Sequence, residues 1–186
     1  MLIVSDEPIS RPGVDNVVYS PQEDSAKPHL GGRCLRRLKM YDPGFMPQYA
    51  GRYMLNFDLD SVILRDLSPV IAKCAAFDGL SMAAGCSQSV SINGSLQGAV
   101  VGSMGEVWRR LADDYSGSDQ DFLYGIRGGL AVQLLGAADG VRHAQHLMSI
   151  GAAAGARAPA RIVFFSGAIK ADEYPRLKSI VVANAG

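Results

Sequence analysis

The chain has 186 residues, and 18 Lys and Arg balance 18 Asp and Glu, so its formal net charge is zero. That neutrality excludes the basic footprint of a nucleic-acid binder, and no run of about 18 uncharged apolar residues is present to span a membrane. Hydrophobic residues at 48% and charged residues at 19% suit one α/β core, and a single domain over residues 1–186 is expected. Cys34, Cys74 and Cys86 are odd in number and widely spaced, with no CxxC pair, which excludes a disulfide framework or a zinc knuckle. They fit a reducing compartment. The N-terminus turns acidic at Asp6-Glu7, too soon for a signal peptide, so the expected location is cytoplasmic.

Residues 2–4 and 14–19 are short apolar, β-branched runs and read as strands. Residues 21–32, broken by Pro28 and Gly31-Gly32, read as a loop. Over residues 33–41 the apolar Leu35, Leu38 and Tyr41 recur at three-residue steps among basic side chains, which predicts a helix stopped by Asp42-Pro43-Gly44. Residues 53–57 form an apolar strand closing on Asp58-Leu59-Asp60, and 62–64 continue extended. Asp66 or Ser68 is placed to cap a helix over 70–76. Strands are expected at 80–84, 90–94, 96–101, 130–135 and 161–165. Helices are expected over 104–115, with Val107, Trp108, Leu111 and Tyr115 on one face, and over 118–126, with Ser118 as cap. Residues 151–160 are small and loop-like, and 174–186 carry no clear pattern. Strands alternating with helices predict one mixed, mostly parallel sheet flanked by helices.

Phe57-Asp58-Leu59-Asp60 is the sharpest chemical feature. In an extended chain residues two apart point to one side, so the two carboxylates converge unless the chain bends. Converging carboxylates repel unless a cation lies between them, and oxygen ligands suit Mg²⁺ or Mn²⁺. The end of a strand in an open α/β sheet is where ligands bind. The plainer alternative is a solvated turn at the strand end.

The stretch Arg37-Leu38, then Tyr53 through Asp58-Leu59-Asp60 to Asp66-Leu67, resembles the nucleotide-sugar glycosyltransferases of the GT-A (Rossmann-like) fold, in their family-eight-like branch with bacterial and phage relatives. Ser91-Ile92-Asn93-Gly94-Ser95-Leu96, Gly117-Ser118-Asp119-Gln120-Asp121-Phe122-Leu123 and the stretch from Arg161 through Ser166-Gly167 to Lys170 resemble three later elements of that family, in the same order. The resemblance implies transfer of a hexose from a nucleoside-diphosphate sugar to an acceptor hydroxyl. It implies Asp60 as a metal ligand and Asp58 at metal or donor ribose. Arg37 would lie near the donor and Asn93 would face the transferred sugar. Asp119 would bond sugar hydroxyls, Gln120 would sit near the reacting carbon, and Lys170 would meet phosphate.

Each residue also has a plainer reading. Asp119 suits a helix N-terminus by charge alone, and Asn93-Gly94 is a common turn dipeptide. Lys170 reads equally as a solvated surface lysine, and Arg37 as part of an exposed basic face. His143 and His146 could share a helix face, with no spacing that ties them or His29 to the aspartates. Two departures from the family stand out. The late element lacks the histidine that completes the relatives' metal site, leaving Ser166 or water to substitute. The opening strand–helix unit that holds the base is also missing, so an N-terminally shortened domain with an exposed sheet edge, a route to homo-oligomers, is expected. Two other classes remain: a catalytically inactive GT-A-like binding protein, and a haloacid-dehalogenase-like phosphohydrolase with Asp58 as nucleophile, Asp60 as general acid and Asp113-Asp114 as the later acidic pair.

Overall fold

The computed structural model describes residues 2–5, 10, 12, 15–18, 34–58, 61–87, 90–144 and 160–165. The expectations for residues 21–32, 151–159 and 174–186, and for His29, Asp60, His146, Ser166, Gly167 and Lys170, lie outside them. The chain divides into two compact units. One combines Met1–Arg52 with Val101–Ile126, the other Tyr53–Val100 with Arg127–Gly186.

In the first unit, β1 (Leu2–Ser5) and β2 (Asp15–Val18) form a two-stranded parallel sheet. The predicted helix over 33–41 is a 3₁₀ helix, Cys34–Tyr41. A 3₁₀ helix has three residues per turn, so the three-residue steps place Leu35, Leu38 and Tyr41 on one face, and all three are buried. This helix packs against α2 (Gly105–Arg110) and α3 (Asp119–Ile126). Val107 and Trp108 of α2, from the apolar face expected in the sequence, are buried, as are Phe122 and Leu123 of α3. Lys39 ties the packing electrostatically: its ammonium lies 4.8 Å from the centre of the Trp108 ring and 2.8 Å from the Asp42 carboxylate. The helix expected over 104–115 stops at Arg110, where Leu111 turns extended (φ −71°, ψ 107°) yet keeps its side chain buried. Asp113 and Asp114 therefore lie exposed in a turn, not inside a helix.

The second unit holds two sheets. In the larger one the order is β3 (Tyr53–Phe57), β6 (Val90–Val100), β5 (Leu80–Ser87), β7 (Val132–Leu135). The first two pairings are antiparallel and the last is parallel. The smaller sheet runs β4 (Val62–Ile63), β9 (Ile162–Phe164), β8 (Val141–His143), with an antiparallel and then a parallel pairing. The sheets are mixed, as expected, but parallel and antiparallel pairings are equally frequent among the described residues, because β6 runs antiparallel to both β5 and β3.

The run Ile162-Val163-Phe164-Phe165 is buried on both faces, the signature of a covered strand. Ile162 and Phe164 enter a core with Val70, Cys74, Ala83, Leu96, Leu135 and Val141. Val163 and Phe165 face the opposite way, onto Ala144, Val62, Leu64 and Ala160. Helix α1 (Ser68–Ala75) covers the first core through Val70 and Cys74. Its N-cap is Leu67, not Asp66 or Ser68; one residue earlier, the Asp66 carboxylate accepts from the Ser68 N–H at 2.9 Å and the Ser68 hydroxyl at 2.7 Å. Those two bonds also hold the exposed Asp66 carboxyl below its ordinary pKa.

Candidate functional site

Asp58 follows the last residue of β3. Its N–H donates to the Ser95 carbonyl of β6 at 3.0 Å, and its own carbonyl accepts from the Ser61 N–H at 3.0 Å. A bond from residue i+3 back to residue i closes a tight turn. The bond brings the Ser61 main chain back to Asp58; Asp60, whose carboxylate is expected to converge with that of Asp58, lies outside the described residues. Asp58 itself is half-buried.

Asn93 does not sit in a turn. It lies within β6, opposite Ala83. Its side-chain oxygen accepts from the Ser95 N–H at 2.7 Å, inside the protein. The NH₂ end is what remains to meet a ligand.

Arg37 and Asp119 are brought together across 82 positions of sequence. The guanidinium approaches the Asp119 carboxylate at 3.0 and 3.2 Å. Asp119 is 2% exposed and Arg37 20% exposed, so Arg37 is not part of a solvated basic face. Local chemistry explains where Asp119 falls. The Ser118 hydroxyl accepts from the Asp121 N–H at 3.1 Å, and the Asp121 carboxylate accepts from the Ser118 hydroxyl at 2.7 Å, a reciprocal cap that starts α3. Asp119 and Gln120 are then its first-turn residues, with Asp119 turned inward and Gln120 half-buried.

Gly117 permits the approach to that cap. A Cβ there would stand 2.4 Å from the Tyr115 hydroxyl, which reaches the Ser118 carbonyl at 3.4 Å while its ring packs edge-on to Phe122, centroids 5.4 Å apart. Burial, with the charges of Asp121 and Asp119, raises the Tyr115 phenol above its ordinary pKa.

Other polar groups lie in the second unit. Burial drives the Tyr53 phenol far above its usual range; Ser81 opposes the rise and Cys74 adds to it. His143 is buried at the end of β8, its ring edge-on to Phe164 with centroids 5.2 Å apart, which is a packing role. Among the described residues no group of three or more His, Cys, Asp or Glu is arranged to hold a metal. Asp60 and Ser166, two of the expected ligands, fall outside those residues. No helix among them is long and apolar enough to cross a membrane.

This topology has a solved counterpart. The chain is similar in fold to the galactosyltransferase LgtC. That structure, a crystal structure of LgtC in complex with donor and acceptor sugar analogues, superposes with a TM-score of 0.54 over 94% of this chain and 77% of LgtC, at 14% sequence identity. No family model and no curated protein matches the chain. At that identity the likeness establishes a GT-A-like α/β fold, and leaves the family branch and the chemistry to be argued from residues.

Proposed function

We propose that this chain is a glycosyltransferase: a single GT-A-like domain that moves a hexose from a nucleoside-diphosphate sugar to an acceptor hydroxyl with Mn²⁺ or Mg²⁺. The observation that carries the reading is a fold similar to that of a galactosyltransferase over 94% of the chain, in a sequence with an aspartate pair just after strand β3. In the reaction the bond between the anomeric carbon and the diphosphate oxygen breaks, and its electron pair leaves with the nucleoside diphosphate. The acceptor oxygen bonds to that carbon and gives up its proton.

The divalent ion would be held by the carboxylates of Asp58 and Asp60, with the Ser166 hydroxyl or water where relatives use histidine. Asp58 fits an oxygen-liganded hard cation: it is a carboxylate at the end of a strand whose main chain is fixed by Ser95. Once bound, the ion would offset the charge that builds on the departing diphosphate. Lys170 would add a point charge for phosphate, and Arg37 would act near the donor. Asp119, ionised beside Arg37, is an acceptor for sugar hydroxyl hydrogens. Gln120 would lie near the reacting carbon, and the NH₂ of Asn93 could donate to a sugar hydroxyl.

The test is a panel of nucleoside-diphosphate hexoses with MnCl₂, read by thermal unfolding and by release of nucleoside diphosphate. A donor at about a hundred times its Kd stabilises the fold by about 2.7 kcal/mol through mass action. If no donor shifts the unfolding temperature, the enzyme reading falls and a non-catalytic binding protein takes its place. Hydrolysis of an aryl phosphate that Asp58→Asn abolishes would instead establish the phosphohydrolase.

A further inference from the structure

Between the pairs Met82–Gln97 and Ala83–Asn93, β5 advances one residue while β6 advances four. Residues 94–96 are thereby carried off the β5 ladder. Toward β3 the same residues stay in step: Phe57 is opposite Leu96, and the Asp58 N–H meets the Ser95 carbonyl. A bulge disrupts the ladder locally and re-aims the strand beside it, and its buried backbone groups need partners from elsewhere.

Two side chains supply them. The Asn93 carboxamide oxygen accepts from the Ser95 N–H at 2.7 Å, and Gln97 Nε2 donates to the Gly94 carbonyl at 3.1 Å. The partners fix which end of each amide is which, because an N–H needs an oxygen and a carbonyl needs an NH₂. Gln97 is fully buried, and Asn93 and Ser95 are nearly so. Buried carboxamides in mid-strand are costly unless bonded, and both of these bond to the bulge.

We propose that Gln97 and the carboxamide oxygen of Asn93 are positioning groups for Asp58: they hold the bulge whose Ser95 carbonyl fixes the backbone just past β3. The importance of the brace to the protein rests on the proposed function, in which Asp58 holds the donor's cation. The brace itself stands without it. Asn93 thus acts through its oxygen on the protein's own backbone, separately from any contact of its NH₂ with a sugar.

Amide hydrogen exchange on the full chain reads the brace. Gln97→Met, apolar and close in volume, should speed exchange at Asp58 and Ser95 by about tenfold or more, while the β3 amides of Tyr53–Phe57 exchange as in the parent. Asn93→Ala should do the same. Asn93→Asp keeps an acceptor for Ser95 but loses the NH₂, and should retain the parent's protection at Asp58. Parent-like Asp58 exchange in Gln97→Met and Asn93→Ala overturns the proposal, as does Asn93→Asp behaving like Asn93→Ala. Should Gln97→Met fail to fold, the two Asn93 variants decide. A parent protein that binds no nucleoside-diphosphate hexose with MnCl₂ defeats the functional reading alone, and the exchange data still judge the brace.

Discussion

The two units hold their aspartates by different means. In the first, Asp119 is buried and its charge is met by a guanidinium from 82 positions away. In the second, Asp58 is half-buried and held through its main chain, by the Ser95 carbonyl and the turn to Ser61. A buried carboxylate without a cation nearby is unstable, so Asp119 needs Arg37 for the fold itself. The Asp58 main chain is fixed by neutral hydrogen bonds to Ser95 and Ser61. The contrast separates a residue whose loss strikes folding as well as function from one whose loss should strike function alone.

The sharpest way to break that contrast is at the proposed metal pair. Asp58→Ala and Asp60→Ala should each lower sugar transfer by about a hundredfold or more, with the unfolding temperature of the ligand-free protein unchanged. Gln120→Ala should behave likewise. Transfer at the parent rate in any of them removes that residue from the mechanism.

Arg37→Ala should instead cost folding stability, on the order of 2 kcal/mol, because it leaves Asp119 buried and uncompensated; the figure is reduced from that of a fully buried pair by Arg37's partial exposure. Urea unfolding of Arg37→Ala, Asp119→Ala and the double variant would show a coupling of about 1 kcal/mol or more. Additive losses would mean that the pair contributes nothing as a pair.

A comparable but purely steric effect is expected at Gly98. A Cβ there would lie 2.1 Å from the Tyr53 hydroxyl and 2.9 Å from its ring carbon Cζ. Gly98→Ala should destabilise by about 1–3 kcal/mol, and adding Tyr53→Phe, which removes the closest atom, should recover part of it. No recovery would mean that the ring of residue 53 and the Leu55 methyl, 3.0 Å from the added Cβ, carry the clash rather than the hydroxyl.

The smallest effect is at Asp139, on the turn before β8. Burial pushes its carboxyl up, but the hydrogen bond from Lys73, the Gly136 N–H and the Lys73 charge outweigh burial and hold it below the ordinary value. A depressed pKa adds stability above the unfolded value, near 3.8, which is lost as pH falls through the lower folded value. Lys73 is well exposed, so Lys73→Ala should cost under about 1 kcal/mol near neutral pH. The difference from the parent should shrink in acid, measured by unfolding as a function of pH.

Much of the architecture was legible because local chemistry decides it. Leu35, Leu38 and Tyr41 spelled their own helical period, Ser118 marked the start of α3, and the β-rich run 161–165 spelled a strand. What misled were places where a distant partner decides. Asn93-Gly94 carries the composition of a turn as well as lying in an expected strand, and pairing of Asn93 with Ala83 of β5 decides for the strand. Arg37 looked like one of several exposed basic residues, and no local signal announced Asp119 as its partner. Gln97 passed unnoticed, although a carboxamide amid Leu96, Gly98 and Ala99 was the available hint of a buried polar bond.

By itself the sequence determined the periodicities, the helix starts and the residue types able to carry sugar-transfer chemistry, since these depend on neighbours within a few positions. Only the tertiary structure decided how those residues are held: the bulge in β6, the main-chain bond from Asp58 to Ser95 and the Arg37–Asp119 pair. Each is set by hydrogen bonds or charges between segments far apart in the chain, and burial, which no local pattern specifies, is what makes those bonds obligatory.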